Sequence, residues 1–165
     1  MIKLVKLFVA ALVLALGSTG VARADAVGGG TAAFNRGDYN SAARLLLPQA
    51  EHGNARAQGM VGFMYATGQG LPQAYDAAGY WYRLAAEQGD TTSQYLLGLA
   101  YDKGQGVPQD DVAAYKWLNP AAAHAPRKTR ENFAKLRNAV ASKMSRGQIA
   151  AGQWHALRWP EESPF

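Results

Sequence analysis

Histidine is the side chain best suited to bind a metal or move a proton near neutral pH, and this chain of 165 residues carries three, His52, His124 and His155. They lie far apart, none has a second ligand at helical spacing, and there is no cysteine anywhere. Thiol catalysis and the common zinc sites are therefore not expected, and each histidine reads as a surface or satisfied-core residue. Gly68-Gln69-Gly70 and Gly104-Gln105-Gly106 have the look of phosphate loops. Neither follows a strand pattern, neither has the third glycine, and no lysine-serine pair follows, so both read as turns. No Ser-x-x-Lys or Gly-x-Ser-x-Gly run offers a serine nucleophile. The sequence predicts no catalytic residue, no metal and no cofactor.

The remaining chemical feature is charge. The formal net charge is +5. Lys3, Lys6 and Arg23 belong to an expected export signal, and without them 14 basic residues stand against 12 acidic, a net of +2. Residues 25–123 hold 6 basic and 9 acidic side chains, whereas residues 124–146 hold 7 basic and one acidic. A nucleic-acid partner is not expected from so small a net charge. The basic segment 127–146 lies opposite an apolar stripe and reads as a solvated capping helix, with weak contact to an anionic surface as its functional alternative.

Residues 1–24 read as a secretory signal peptide. Lys3 and Lys6 form the basic start, Leu7 to Leu16 the apolar stretch, and Ala22-Arg23-Ala24 the small-x-small cleavage site. Gly17, Ser18, Thr19 and Gly20 stop the apolar run short of the roughly 20 residues that a spanning helix needs. The expectation is a cleaved periplasmic or secreted chain without stable membrane insertion. Absence of cysteine removes both a lipid anchor and a disulfide framework, so the fold must be held by packing alone.

The elements that do the packing announce themselves by repetition. Shifted by 36 residues without a gap, Asn54–Ala86 matches Asp90–Ala122 at 13 of 33 positions. The matches include Gln58/Gln94, Gly62/Gly98, Tyr65/Tyr101, Pro72/Pro108 and Trp81/Trp117. Ala57, Val61 and Tyr65 fall at helical spacing, as do Ala78, Trp81 and Ala85, so each unit offers two helices with one apolar stripe apiece. The glycine-bracketed segments between them supply positive φ after a helix, and the following proline prevents its continuation. Gly62 and Gly98 sit inside helix patterns, where glycine costs about 1 kcal/mol relative to alanine. Close helix crossing is the expected reason, with Trp81 and Trp117 filling the space between hairpins.

The pattern A-x-A-Q-x-x-x-G-x-x-Y-x-x-G-x-G followed by A-x-x-W-x-x-x-A-A-E-x-G over residues 55–89 resembles the SEL-one-like repeat, a relative of the tetratricopeptide repeat. The second copy departs after Trp117, where Asn119-Pro120 replaces Arg83-Leu84, and its second helix is expected to shorten or kink at Pro120. The resemblance implies an all-α, right-handed solenoid of about two and a half repeats. Its expected divisions are a leading hairpin at 25–53, repeats at 54–89 and 90–125, and capping helices at 126–165. Phe133, Leu136, Val140 and Met144 form one stripe of the caps, and Ser145-x-x-Gln148 reads as a capping box opening a last helix.

Helical solenoids commonly hold a peptide or protein on the face lined by the first helix of each hairpin. On that face the sequence places Arg56, Met60, Phe63 and Thr67, and one unit later Thr92, Leu96, Leu99 and Lys103, with Tyr95 nearby. Met60, Phe63, Leu96 and Leu99 would form an apolar strip flanked by Arg56 and Lys103, open unless the carboxy-terminal helix folds back over it. The resemblance implies an adaptor or scaffold in the bacterial envelope with a protein or peptide partner. Some cysteine-rich exported members of the family are associated with β-lactam binding or hydrolysis, but this chain lacks their paired cysteines. A self-associating structural role is the third reading.

Overall fold

Side-chain caps open several of the helices, most of which run 13 to 15 residues. The computed structural model describes residues 26–162, with side chains as far as residue 158, and the expected signal segment 1–24 lies outside them. Among the described residues are eight helices and no strand. They are α1 (26–35), α2 (Tyr39–Glu51), α3 (Ala55–Thr67), α4 (Tyr75–Glu87), α5 (Thr91–Lys103), α6 (Asp111–His124), α7 (Arg127–Ala141) and α8 (Arg146–Glu162). Asp38, Asn54, Asp90 and Asp110 each accept a backbone N–H of the first turn, which satisfies a donor the helix itself cannot. The expected capping box at the head of α8 forms reciprocally. Ser145 N donates to Gln148 Oε1 at 2.8 Å and Gln148 N to Ser145 Oγ at 3.3 Å.

Each helix packs on the next, α2 on α3, α3 on α4, and so on to α7, while α8 lies against α6. The result is an all-α solenoid whose core runs from Leu46 and Val61 through Leu97 and Trp117 to Leu118 and Val140. Helices α3 and α5 both end in a left-handed glycine, Gly68 at φ 72° and Gly104 at φ 66°. Two residues on, Gly70 and Gly106 carry the turn against the start of the preceding repeat's second helix, at Tyr39 and Tyr75. From the same turns, Gln73 and Gln109 donate to the carbonyls of Ala66 and Asp102 at 3.0 and 2.9 Å.

The glycines inside helices do mark close crossings. A Cβ on Gly62 would stand 2.7 Å from the ring of Tyr82, and one on Gly98 would stand 2.6 Å from Leu118. Both partners come one residue after the tryptophans, which pack instead on the hydrophobic clusters between successive hairpins. The leading hairpin repeats the arrangement, with Gly30 against Leu46 at 2.7 Å. Leu46, Tyr82 and Leu118 are 36 residues apart, but Gly30 precedes Gly62 by only 32. The turn between α1 and α2 occupies residues 36–38, four fewer than the turn at 68–74.

Of the shortening or kink expected at Pro120, the shortening does not occur: helix α6 runs 14 residues, one more than α4. Proline removes one backbone donor and crowds the carbonyl four residues earlier. Helix α2 accommodates Pro48 in the same way, and Pro48, Leu84 and Pro120 are equivalent positions 36 residues apart. The next turn of each helix is braced by a side chain four residues on. His52 Nδ1 bonds to Pro48 O, Gln88 Nε2 donates to Leu84 O at 3.2 Å, and His124 Nδ1 bonds to Pro120 O at 3.0 Å. Two of the three histidines are thus satisfied as helix-end braces.

Candidate binding groove

Helix α3 packs its Ala57, Val61 and Met64 side inward and leaves Arg56, Gly59, Met60 and Phe63 toward an open groove of about 550 Å³. Helix α1 contributes Thr31, Phe34 and Asn35 along one side, and the start of α5 contributes Asp90, Thr92, Ser93 and Leu96 along the other. The aromatic end is built edge to face. Phe34 and Phe63 stand 5.8 Å apart with planes at 77°, and Tyr39 meets Phe34 at 5.1 Å. Met60 is held from the side by Thr31, whose hydroxyl lies 3.4 Å from its sulfur. Phe63 remains 38% exposed, a large apolar group facing solvent in the groove.

Charge enters in two forms. Asp90 is already committed as the cap of α5, its Oδ1 accepting from Ser93 N at 2.7 Å. Arg56 is exposed and makes no hydrogen bond or ion pair among the described residues. Between them Gly59 lets α5 approach α3 closely, since a Cβ there would stand 2.5 Å from Ser93 Oγ.

The nine residues placed on this face by the sequence divide. Arg56, Met60, Phe63, Thr92 and Leu96 line the groove together. Leu99 lies outside it, beside a smaller cavity of about 80 Å³ shared with Leu96 and Tyr82. Thr67 is exposed and turns its hydroxyl back to Phe63 O at 2.8 Å, and Lys103 is exposed at the last turn of α5. Tyr95 belongs to a different layer, because α7 brings Phe133 onto its ring face, with centroids 4.1 Å apart and planes 10° from parallel. Helices α7 and α8 close over α6, and Phe63, Leu96 and Leu99 are not buried. Phe34, Thr31 and Gly59 were not among the sequence's candidates. Phe34 and Thr31 lie in the hairpin whose short turn takes it out of the 36-residue register, and a glycine offers no side chain to notice.

The Sel1 repeat family matches residues 55–90 and 91–125. A solved Sel1 repeat protein from Oxalobacter formigenes is 39% identical, with a TM-score of 0.53 over 58% of this chain and 71% of that one. The chain belongs to the Sel1 repeat family. A protective antigen of uropathogenic Escherichia coli with an SLR fold superposes with a TM-score of 0.76 at 24% identity, over 85% of this chain. This chain spans about 30% of the antigen's length. No curated protein matches.

Within the Sel1 frame the repeats are joined by buried amides. Gln58 Nε2 donates to Ala50 O at 3.1 Å and Gln94 Nε2 to Ala86 O at 3.2 Å, each reaching the end of the preceding repeat's second helix. At the third such position Arg130 donates to Ala125 O at 3.0 Å. The basic segment is likewise used internally: Lys135 pairs with Glu131 at 2.7 Å, Arg137 bonds Asn138, and Lys143 pairs with Asp102. Among the described residues no group of three acidic, histidine or cysteine side chains is placed to share a metal ion. Nor, among them, is any helix long and apolar enough to cross a membrane. Sel1 repeats serve in general as protein-interaction scaffolds, and nothing in the groove unites a nucleophile with a base.

Proposed function

We propose that this chain is an exported, non-catalytic adaptor of the bacterial envelope that holds a protein or peptide partner in the groove between α1, α3 and α5. The observation that carries the reading is the exposed Phe63 in an open cleft that the capping helices leave uncovered. Contiguous apolar surface rimmed by polar groups is the usual mark of an interaction site. Helical solenoids present such surfaces on rigid elements, which keeps the entropy lost on binding small.

The test uses the mature chain, residues 25–165, as bait in an envelope extract beside a Phe63→Glu variant of equal helicity. A partner retained by the parent and lost by the variant supports the adaptor reading, and equal retention by both overturns it. Export has its own measurement. Mass spectrometry of the envelope fraction should find a chain starting at Asp25, and an intact chain confined to the cytoplasm would reject it.

A further inference from the structure

The groove combines one uncommitted cation with an apolar shelf, and the distance between them selects a kind of ligand. Arg56, Met60 and Phe63 follow one another along α3, and a rise of 1.5 Å per residue puts Met60 about 6 Å and Phe63 about 10 Å beyond Arg56. An extended peptide advances about 3.3 Å per residue, so two or three residues of it cover the same span. Gly59 adds no side chain to the groove, and its place is taken by the start of α5, with Ser93 Oγ 2.5 Å from where a Cβ would stand. The equivalent position one repeat later is Tyr95, and there the stack on Phe133 fills the valley. The groove is therefore a property of α3 and its neighbours rather than of every repeat.

Its charge is equally particular. The charged groups that line it are Arg56 and Asp90, no ion pair joins them, and Asp90 is held by the first turn of α5. A single free guanidinium beside the neutral Asn35, Thr31 and Thr92 suits one carboxylate rather than a polyanion such as nucleic acid. We infer, resting on the reading of the groove as a peptide site, that its occupant is an extended segment with an acidic side chain. Two or three residues beyond that acid comes a large apolar side chain. The acid pairs with Arg56, and the apolar group lies on Met60, Phe63 and Leu96.

The experiment measures fluorescence anisotropy of end-blocked, labelled nonapeptides on the mature chain. They share a glycine-serine background around one of three cores, Asp-Gly-Ser-Phe, Lys-Gly-Ser-Phe or Asp-Gly-Ser-Ser. The first core should bind about tenfold more tightly than either of the others, the size expected of one charge-assisted contact or one buried aromatic ring. Arg56→Glu should invert the preference between the aspartate and lysine cores, and Phe63→Glu should abolish binding of both. Arg56 and Phe63 are exposed, so both variants are expected to keep the parent helicity. Equal affinity for the aspartate and lysine cores, lost together in Phe63→Glu, overturns the acidic specificity while leaving the groove as a peptide site. No binding of any core, or binding indifferent to Phe63→Glu, overturns both. Self-association of the parent chain that Phe63→Glu removes assigns the groove to a second copy and also overturns the inference.

Discussion

Gly106 lies directly on the backbone of Tyr75, so close that a Cβ built on it would stand 1.9 Å from the Tyr75 carbonyl oxygen. The contact seats the turn of the second repeat on the first turn of α4. Its φ of 71° is also one that other residues enter only under strain. Gly106→Ala should lower stability by roughly 3 kcal/mol or more, because backbone on both sides of the clash must move. Gly89→Ala has a similar φ of 87° but meets nothing within 4 Å, so it should cost only about 1 kcal/mol. Thermal melts of the two variants followed by far-ultraviolet circular dichroism make the comparison, and equal losses would mean that the seating contact contributes nothing.

Ser93 is fully buried, and its hydroxyl has no hydrogen-bond partner. The preceding repeat carries Ala57 at the same position, so a methyl group is already accommodated there by the fold. Ser93→Ala should therefore raise stability, by about 1 kcal/mol, through removal of an unsatisfied buried polar atom. Urea titration reads the change directly, and a destabilised variant would show that the hydroxyl is satisfied in solution.

The buried amide of Gln94 joins α5 to the carbonyl end of α4. Gln94→Ala removes the donor, leaves Ala86 O without that partner and opens a void, and it should cost about 2 to 4 kcal/mol. Gln94→Glu should be worse at neutral pH, since an ionised carboxylate there would face a carbonyl oxygen without solvent. Denaturant midpoints of the two variants rank them, and a tolerated glutamate would refute the buried donor.

Alkaline pH should weaken the fold through two groups. The hydrogen bond to Asp102 holds the Lys143 pKa above its ordinary value, with the charges of Asp102 and Asp111 acting in the same direction. Burial pushes the Tyr82 phenol up as well. Each group keeps its proton longer in the folded chain than in the unfolded one. Their stabilisation is therefore complete below the unfolded values, 10.5 for lysine and 10.0 for tyrosine, and is lost as pH rises through the higher folded values. Lys143→Met should remove part of the decline between pH 10 and 12, a window set by the usual lysine and tyrosine ranges. An unchanged alkaline profile would dismiss the lysine as a contributor.

Much of this was written in a gapless 36-residue repeat, because the residues that build a hairpin are those whose types physics restricts. Glycine at φ near 70° and glycine under Tyr82 or Leu118 leave little choice, so Gly68, Gly70 and Gly62 recur as Gly104, Gly106 and Gly98. The capping box at Ser145 and Gln148 was legible for the same reason. The groove was half legible. Arg56, Met60 and Phe63 follow from helical phase, but the α1 side was hidden by the four-residue shorter turn that displaces Phe34 from register. Tyr95 has the phase of a groove residue and is claimed by Phe133, a contact between repeats that no local pattern encodes. The shortening expected at Pro120 does not occur because the helix is held on both sides of the proline by buried residues, Trp117 and Leu118 before it and Ala121 and Ala122 after it.

The close approach of α5 at Gly59 also bears on how such a chain can grow. Insertion of another 36-residue unit copied from residues 54–89 would bring its own Arg56, Gly59, Met60 and Phe63 equivalents, and so the α3 side of a second cleft. A unit copied from 90–125 would bring a tyrosine and lengthen the rod without adding a cleft. Length and valency are thus separable properties of the array, and the choice between them rests on the few positions, Arg56/Thr92, Gly59/Tyr95 and Phe63/Leu99 among them, at which the two units differ.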